Sequence, residues 1–268
     1  MLSSLAPARR RLVYAVVGVV LIAVVVAAIE LITAGDPTPT RPVSQVSAGP
    51  VLLVPGYGGS TTALDALAVT LRAAGKDVTV VSLPGNARGD LNAQATVLGT
   101  AVTQVLARTQ ARSVDIVGYS AGGVVARLWV RNDGGASLAR RVITLGSPHH
   151  GTDLASLAGS ILPGICPTAC QQLAVDSPLL AALNSGDETP PGPSFVSIWT
   201  THDDVVLPAD SASLGGALDV TVQSVCASDP VRHSGLPTDR VVQAMVAAEL
   251  APGPPVTLRR GDCARFSS

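Results

Sequence analysis

Short apolar runs alternate with stretches of helical periodicity along most of the chain from residue 51 onward. The apolar runs predict strands over residues 51–54, 77–81, 114–117, 141–145, 194–200 and 218–222. Apolar positions three or four residues apart predict helices over residues 61–74, 91–107 and 238–250, and another directly after residue 120. Strands this apolar are buried on both faces. The pattern therefore predicts an α/β fold with a mostly parallel central sheet and helices on both faces.

The first part of the chain has a different pattern. Arg9, Arg10 and Arg11 precede an uncharged apolar run over residues 12–29, which Glu30 interrupts. About 18 apolar residues can span a bilayer, whereas the core of a signal peptide has about 7–15. We therefore predict a transmembrane signal anchor over residues 12–34, with residues 1–11 in the cytoplasm. A cleaved signal peptide is the alternative.

Residues 35–50 alternate prolines with threonine, serine and glutamine, a composition typical of an extended linker. The folded domain is then expected over residues 51–268. With an anchor, the protein is a single-pass protein of the cell membrane whose domain lies outside the cytoplasm. With a cleaved signal, it is secreted.

The stretch Gly118-Tyr119-Ser120-Ala121-Gly122 joins the third strand to a helical pattern without a loop. A strand, a tight turn with a serine and a helix together form a nucleophile elbow. Gly118 and Gly122 are required there because a Cβ would collide with the neighbouring strand or helix. The sequence therefore predicts Ser120 as a catalytic nucleophile and the Ala121 N–H as an oxyanion donor.

A second glycine-rich turn, Pro55-Gly56-Tyr57-Gly58-Gly59, follows the first strand. It matches neither the dinucleotide-binding nor the phosphate-loop spacing. In an acyl-transfer enzyme this loop supplies the second oxyanion N–H, and Tyr57 is the candidate.

A serine nucleophile needs a histidine base, and the chain has four histidines. In folds with this elbow the triad follows in the order serine, acid, histidine. His149 and His150 follow the strand immediately after the nucleophile strand, where this order allows no base. We expect them to cap a loop or line the entrance. His202 is next to the candidate acids, Asp203 and Asp204, in the chain, and from there its side chain cannot reach to hydrogen-bond theirs. His233, on the loop after the last strand, is therefore predicted as the base.

The acid that orients this histidine is expected on the loop after residues 194–200. Asp203 and Asp204 both qualify by position. Adjacent side chains diverge in a turn, so only one of them reaches the histidine. We predict Asp203, with Asp204 as the alternative.

Four cysteines, Cys166, Cys170, Cys226 and Cys263, form an even set in a chain expected to be exported, which indicates disulfides. Three pairings are possible. We favour Cys166 with Cys170 and Cys226 with Cys263, because the first two share one short loop. A zinc site is the alternative, and the spacings and an oxidising compartment argue against it.

Between residues 150 and 193 no strand is evident, but the segment has an apolar face formed by Leu154, Leu157, Ile161, Leu162 and Ile165. We therefore expect a lid or a pocket wall, and a fixed structural excursion is the alternative.

Over about residues 51–250 the chain resembles small bacterial lipases of the α/β-hydrolase fold, often called lipase class 2. The residues that carry the resemblance are Val54–Gly59, Gly118–Gly122, Thr144–Thr152, Asp203–Pro208 and His233–Leu236. Many members of this family have His-Gly in the early loop, where this chain has Pro55-Gly56.

The resemblance implies an α/β-hydrolase fold that needs no cofactor and no metal. It places the oxyanion donors on the residue after the nucleophile and on the residue after the first glycine of the early loop, here Ala121 and Tyr57. The family acid is followed two residues later by valine and often then by proline, which fits Asp203 better than Asp204.

The sequence as a whole thus predicts an exported serine hydrolase that cleaves esters of lipids or short acyl esters. An acyltransferase with the same triad, or a non-catalytic binding domain on the same fold, are the alternatives. The net charge of −1 and the aromatic content of 3% argue against a nucleic-acid partner. We expect a monomer whose membrane contact is the N-terminal helix.

Overall fold

The structure is a computed structural model that describes residues 16–25, 42–161 and 164–267. The chain divides into two compact units, Met1–Thr40 and Arg41–Ser268. In the first unit, residues 16–25 form a helix whose apolar side chains are mostly exposed. Most of the predicted anchor over residues 12–34 lies outside the described residues. Within the described part of the chain, no helix has the length and apolar character needed to cross a bilayer.

The second unit is built on a six-stranded sheet. Its strands are β1 Val51–Val54, β2 Val78–Val80, β3 Val114–Tyr119, β4 Ala139–Leu145, β5 Ser194–Trp199 and β6 Leu218–Thr221. They lie in the order β2-β1-β3-β4-β5-β6, and every neighbouring pair is parallel. This confirms the predicted parallel sheet.

Nine helices are described in this unit between and after the strands. They are α1 Thr62–Ala73, α2 Leu91–Thr109, α3 Ala121–Asn132, α4 Asp153–Ile161, α5 Thr168–Gln172, α6 Pro178–Leu183, α7 Val222–Val225, α8 Arg240–Glu249 and α9 Cys263–Ser267. Asp90 caps α2 by accepting a hydrogen bond from the Ala93 N–H (2.9 Å), and Asp239 caps α8 in the same way.

Alternate side chains of each strand enter cores on opposite faces of the sheet. In β1, Leu52 and Val54 pack with the buried faces of α2 and α3. Val51 and Leu53 pack on the other face with α1 and α8. The alternation follows from the two-residue repeat of a strand, so the sheet is covered on both faces as predicted.

The carboxyl ends of β1, β3, β4 and β5 lie side by side. Val54 pairs with Gly118, and Leu145 pairs with both Tyr119 and Ile198. The loops that follow these strands therefore meet at one edge of the sheet, which is where α/β proteins place their functional groups.

Residues 42–50, the described part of the predicted linker, are hydrogen-bonded to the rest of the unit. The Val43 N–H donates to the Gly192 carbonyl (3.0 Å). The Gln45 side-chain amide donates to the Arg140 carbonyl (2.8 Å) and accepts from the Arg141 guanidinium (2.8 Å). The ordered structure of the unit thus begins before β1.

Strand β4 begins two residues before the predicted position, and the added residues include the fully buried Arg140. The Arg140 guanidinium donates to both carboxylate oxygens of Asp115 on β3, at 2.7 and 2.6 Å. Both side chains are 0% exposed. A charged residue can lie in a buried strand when an opposite charge pairs with it. Sequence periodicity does not show that Asp115 is this partner.

Replacing Asp115 with alanine should destabilise the protein by about 3–5 kcal/mol, because the Arg140 charge would stay buried without its counter-ion. Chemical denaturation followed by circular dichroism measures the change. The matched control is Asp77→Ala, which breaks the exposed ion pair between Asp77 and Arg108. That variant should leave the denaturation midpoint almost unchanged. Equal losses of stability in both variants would contradict a special stabilising role of the buried Asp115–Arg140 pair.

Candidate active site

Ser120 lies between the last residue of β3 and the first residue of α3, and its backbone is strained. Its φ of 53° and ψ of −126° fall in a region that residues with a side chain rarely adopt. Its N–H donates to the Leu145 carbonyl (2.8 Å), which ties the turn to β4. This geometry is that of a nucleophile elbow, with the serine side chain raised above the sheet edge.

Glycines allow this turn because the backbone around it is packed without space for a Cβ. A Cβ on Gly118 would lie 2.6 Å from the Gly122 carbonyl, and one on Gly122 would overlap the carbonyl oxygen of Val54. Gly123, to which the sequence analysis gave no role, is equally confined by the Ser147 side chain. Each of the three glycines thus lets α3 approach the sheet closely.

The structure brings Ser120, His233 and Asp203 into one chain of hydrogen bonds. His233 Nε2 lies 3.0 Å from Ser120 Oγ, and His233 Nδ1 lies 2.8 Å from Asp203 Oδ2. The His233 and Asp203 side chains are 5% and 1% exposed. The second oxygen of Asp203 accepts from the N–H groups of Val205 (2.9 Å) and Val206 (2.8 Å). Because both carboxylate oxygens are bonded, the orientation of Asp203 is fixed.

Two residues that the sequence analysis did not assign support the histidine. The Tyr119 hydroxyl donates to the His233 carbonyl (3.2 Å), and burial raises the Tyr119 pKa to about 12, so this donor stays protonated. Gly146 has a φ of 54° and no side chain. A Cβ there would lie 3.2 Å from Asp203 Oδ2 and 3.3 Å from His233 Nδ1. The glycine directly after β4 was the one sequence signal for this contact.

Asp204, the alternative acid, lies away from the histidine. Its carboxylate is half-exposed and accepts from the Arg232 guanidinium at 3.1 Å. This hydrogen bond lowers the pKa of Asp204 below its usual value. Of the two candidates, the structure brings only Asp203 to His233.

The other histidines lie elsewhere. His149 is fully buried, with Nε2 3.1 Å from the Thr144 hydroxyl, so the expectation that it caps a loop or lines the entrance was wrong. Burial lowers the pKa of His149 well below its usual value and keeps the ring neutral. His150 is partly exposed and lies 2.9 Å from a Glu188 carboxylate oxygen. His202 is exposed.

The two predicted oxyanion donors are adjacent to the serine. Ala121 is the first residue of α3, so its N–H has no acceptor within the helix. The backbone of Gly56 packs directly on the elbow, since a Cβ there would lie 2.9 Å from Ser120 Cβ. Tyr57 lies in a turn closed by the Gly59 N–H and the Gly56 carbonyl (3.0 Å), and it lines the same cavity as Ser120.

A cavity of about 270 Å³ opens beside Ser120. Its walls are mainly apolar and include Tyr57, Pro148, Leu154, Ala155, Leu173 and Val206. Part of the wall is formed by α4 and α5, in the segment that the sequence analysis expected to contain no strand. The described residues of that segment before β5 are helices and turns, and they supply a pocket wall.

The four cysteines form two disulfides, Cys166–Cys170 and Cys226–Cys263, with Cα–Cα distances of 5.3 and 5.0 Å. This is the pairing that we favoured from the sequence. Among the described residues, no group of three or more histidine, cysteine, aspartate or glutamate side chains could hold a metal ion.

Comparison with protein-family models gives a match to the family described as "Lipase (class 2)" over residues 96–233, just over half of the chain. The chain belongs to the class 2 lipase family. The matched segment includes Ser120, Asp203 and His233. No curated protein sequence matches the chain significantly.

Solved structures similar to this class 2 family member share its fold. Aspergillus fumigatus lipase B superposes with a TM-score of 0.69 and 20% identity, over 78% of this chain and 54% of that one. The mature Bacillus licheniformis lipase BlEst2 superposes with a TM-score of 0.57 and 21% identity, over 69% of this chain and 86% of that one. A Listeria innocua protein, the product of gene lin2722, superposes with a TM-score of 0.54 and 15% identity, over 75% of this chain and 92% of that one. The chain thus spans only about half the length of the Aspergillus lipase.

Replacing Gly122 with alanine should destabilise the protein by about 3 kcal/mol, because the new methyl group overlaps the backbone of β1. Differential scanning calorimetry measures the loss. Gly89→Ala is the matched control, since a Cβ at that position meets nothing within 4 Å. A Gly122→Ala protein as stable as Gly89→Ala would show that the elbow is not packed as described.

Proposed function

We propose that this protein is an exported serine hydrolase that cleaves carboxylic esters of lipids or short acyl chains. The observation that carries the proposal is the chain of hydrogen bonds from a strained serine through His233 to a buried aspartate. Strained serines with a histidine in reach are rare outside catalytic sites, because the strain has to be maintained by the surrounding fold.

In the proposed reaction, Ser120 Oγ attacks the ester carbonyl while His233 Nε2 takes the hydroxyl proton. Asp203 accepts the Nδ1–H hydrogen bond, which leaves the Nε2 lone pair directed at the serine. The carboxylate also stabilises the imidazolium that forms. His233 then delivers the proton to the leaving alcohol, and an acyl-enzyme remains on Ser120.

The negative charge on the carbonyl oxygen is stabilised by the N–H groups of Ala121 and Tyr57. Ala121 contributes the positive end of the α3 dipole as well as its free N–H. Water then attacks the acyl-enzyme with His233 as the base. An acyltransferase would follow the same steps as far as the acyl-enzyme and would differ only in the second nucleophile.

The surroundings of the serine support a lipid-like substrate. The cavity walls are mainly apolar, and large apolar side chains are exposed on and beside α4. Those exposed side chains are Leu154, Leu157, Ile161, Ile165 and Val205. Exposed apolar groups next to a binding site are typical of surfaces that meet apolar ligands. An acyl chain fits this environment better than a polar substrate does.

Two further features support export. Both disulfides require an oxidising compartment to form and persist, which is found outside the cytoplasm. The arginine cluster followed by an apolar run supports an N-terminal membrane anchor, with a cleaved signal as the alternative. We propose that the hydrolase domain works outside the cytoplasm in either case.

Hydrolysis of p-nitrophenyl esters by the full chain tests the function and the choice of acid together. Ser120→Ala should abolish the activity. Asp203→Asn should lower kcat by roughly 10³–10⁴, because the histidine loses its orienting carboxylate. Asp204→Asn is the matched control and should retain wild-type activity.

The assignment of the acid is wrong if Asp204→Asn loses activity and Asp203→Asn keeps it. The serine mechanism is wrong if Ser120→Ala hydrolyses esters as fast as the wild-type protein. Analysis of the products with an added alcohol separates hydrolysis from acyl transfer.

A further inference from the structure

The Cys166–Cys170 disulfide lies in the wall of the substrate cavity. Cys170 lines the cavity together with Ser120, and Ile165, the residue before the other cysteine, lines it too. Cys166 is only 2% exposed. The second disulfide, Cys226–Cys263, does not line the cavity. The two bonds therefore differ in their relation to the site.

One half of the disulfide belongs to a helix that is fixed to the body of the domain. The Ala169 N–H of α5 donates to the Arg88 carbonyl (3.1 Å). The Gln172 side chain at the end of α5 accepts from the Leu91 N–H (2.8 Å). Cys170 is thus held at a constant position relative to the core.

The other half of the disulfide, Cys166, packs against α4. Cys166 Sγ lies 4.0 Å from the Ala155 carbonyl, and a Cβ on Gly159, one turn further along α4, would lie 3.8 Å from the same sulfur. Ala155 and Ala158 of α4 line the cavity. The disulfide therefore stands between the two helices that form this wall.

The start of α4 is fixed independently of the disulfide. The Thr152 hydroxyl donates to the Val205 carbonyl (2.7 Å), and the Asp153 N–H donates to the Leu207 carbonyl (2.8 Å). Further along α4, Leu157 is 55% exposed and contributes to the solvent-facing side. At Gly159, in a later turn of α4, the Cys166 sulfur is the group that the helix packs against.

We propose that the Cys166–Cys170 disulfide is a specificity-determining element that limits the length of the acyl chain the cavity accepts. The proposal rests on the ester hydrolase function proposed above. The bond holds Ile165 and Cys170 together at the wall, and the Cys166 sulfur packs between α4 and α5. Without the bond, Ile165 is released from the wall and the cavity lengthens. Each additional buried methylene group then strengthens binding by roughly fourfold.

The test compares two double variants, Cys166→Ala/Cys170→Ala and Cys226→Ala/Cys263→Ala, with the wild-type full chain. Values of kcat and KM are measured for p-nitrophenyl esters of graded chain length. In the first variant the ratio of kcat/KM for long over short esters should rise roughly fifteenfold, the effect of about two newly buried methylene groups. The rise should come mainly from a lower KM for the long esters.

The second variant should lose thermal stability without a change in the ratio, because its disulfide is outside the cavity. If the first variant does not fold, the same question is answered with folded Cys226→Ala/Cys263→Ala protein, in which Cys166–Cys170 is the only disulfide. Reduction should raise the ratio, and reoxidation should restore it.

An unchanged ratio, with an active wild-type protein whose activity is lost in Ser120→Ala, would overturn this inference and leave the proposed function intact. An equal rise in both double variants would also overturn it, since the effect would then be general loosening. A wild-type protein without esterase activity would overturn the proposed function and this inference with it.

Discussion

The strained backbone at Ser120 is the constraint on which the rest of the site depends. A positive φ at a residue with a side chain costs about 1–3 kcal/mol, and only a surrounding structure with no alternative packing maintains it. Here β3 and α3 are joined without a loop, the Ser120 N–H is bonded to β4, and glycines let the helix contact the sheet backbone. The parallel sheet therefore holds Ser120 within hydrogen-bonding distance of His233.

The base and acid are held by contacts with the sheet edge as well as by their own loops. Gly146, at the end of β4, leaves space for the Asp203–His233 hydrogen bond, and Tyr119, at the end of β3, bonds the histidine backbone. Tyr119 is the last residue of the elbow strand, and Gly146 directly follows the neighbouring strand. A single rigid element thus positions Ser120, orients His233 and excludes water from the buried carboxylate, which is the arrangement that acid–base catalysis requires.

Much of this fold follows from local patterns in the sequence, because short apolar runs and helical periodicity are local properties. Chain order and elimination likewise select His233 and limit the acid to Asp203 or Asp204, between which the resemblance to the lipase family favours Asp203. What sequence could not predict depends on contacts between distant residues. The start of β4 requires knowing that Arg140 meets Asp115, and the role of Gly146 requires knowing which side chains converge on it. Placing the Cys166–Cys170 disulfide in the cavity wall likewise requires the packing of α4 against α5.

Covalent labelling with a fluorophosphonate tests the central claim most directly, because this reagent reacts with serines only when a base activates them and an oxyanion site stabilises the addition. The folded full chain is treated with the reagent, and the adduct is located by peptide mass spectrometry. We predict one adduct, on Ser120, which is absent after denaturation and in His233→Ala. A folded protein that takes up no label, or takes it up on a different serine, would contradict the account.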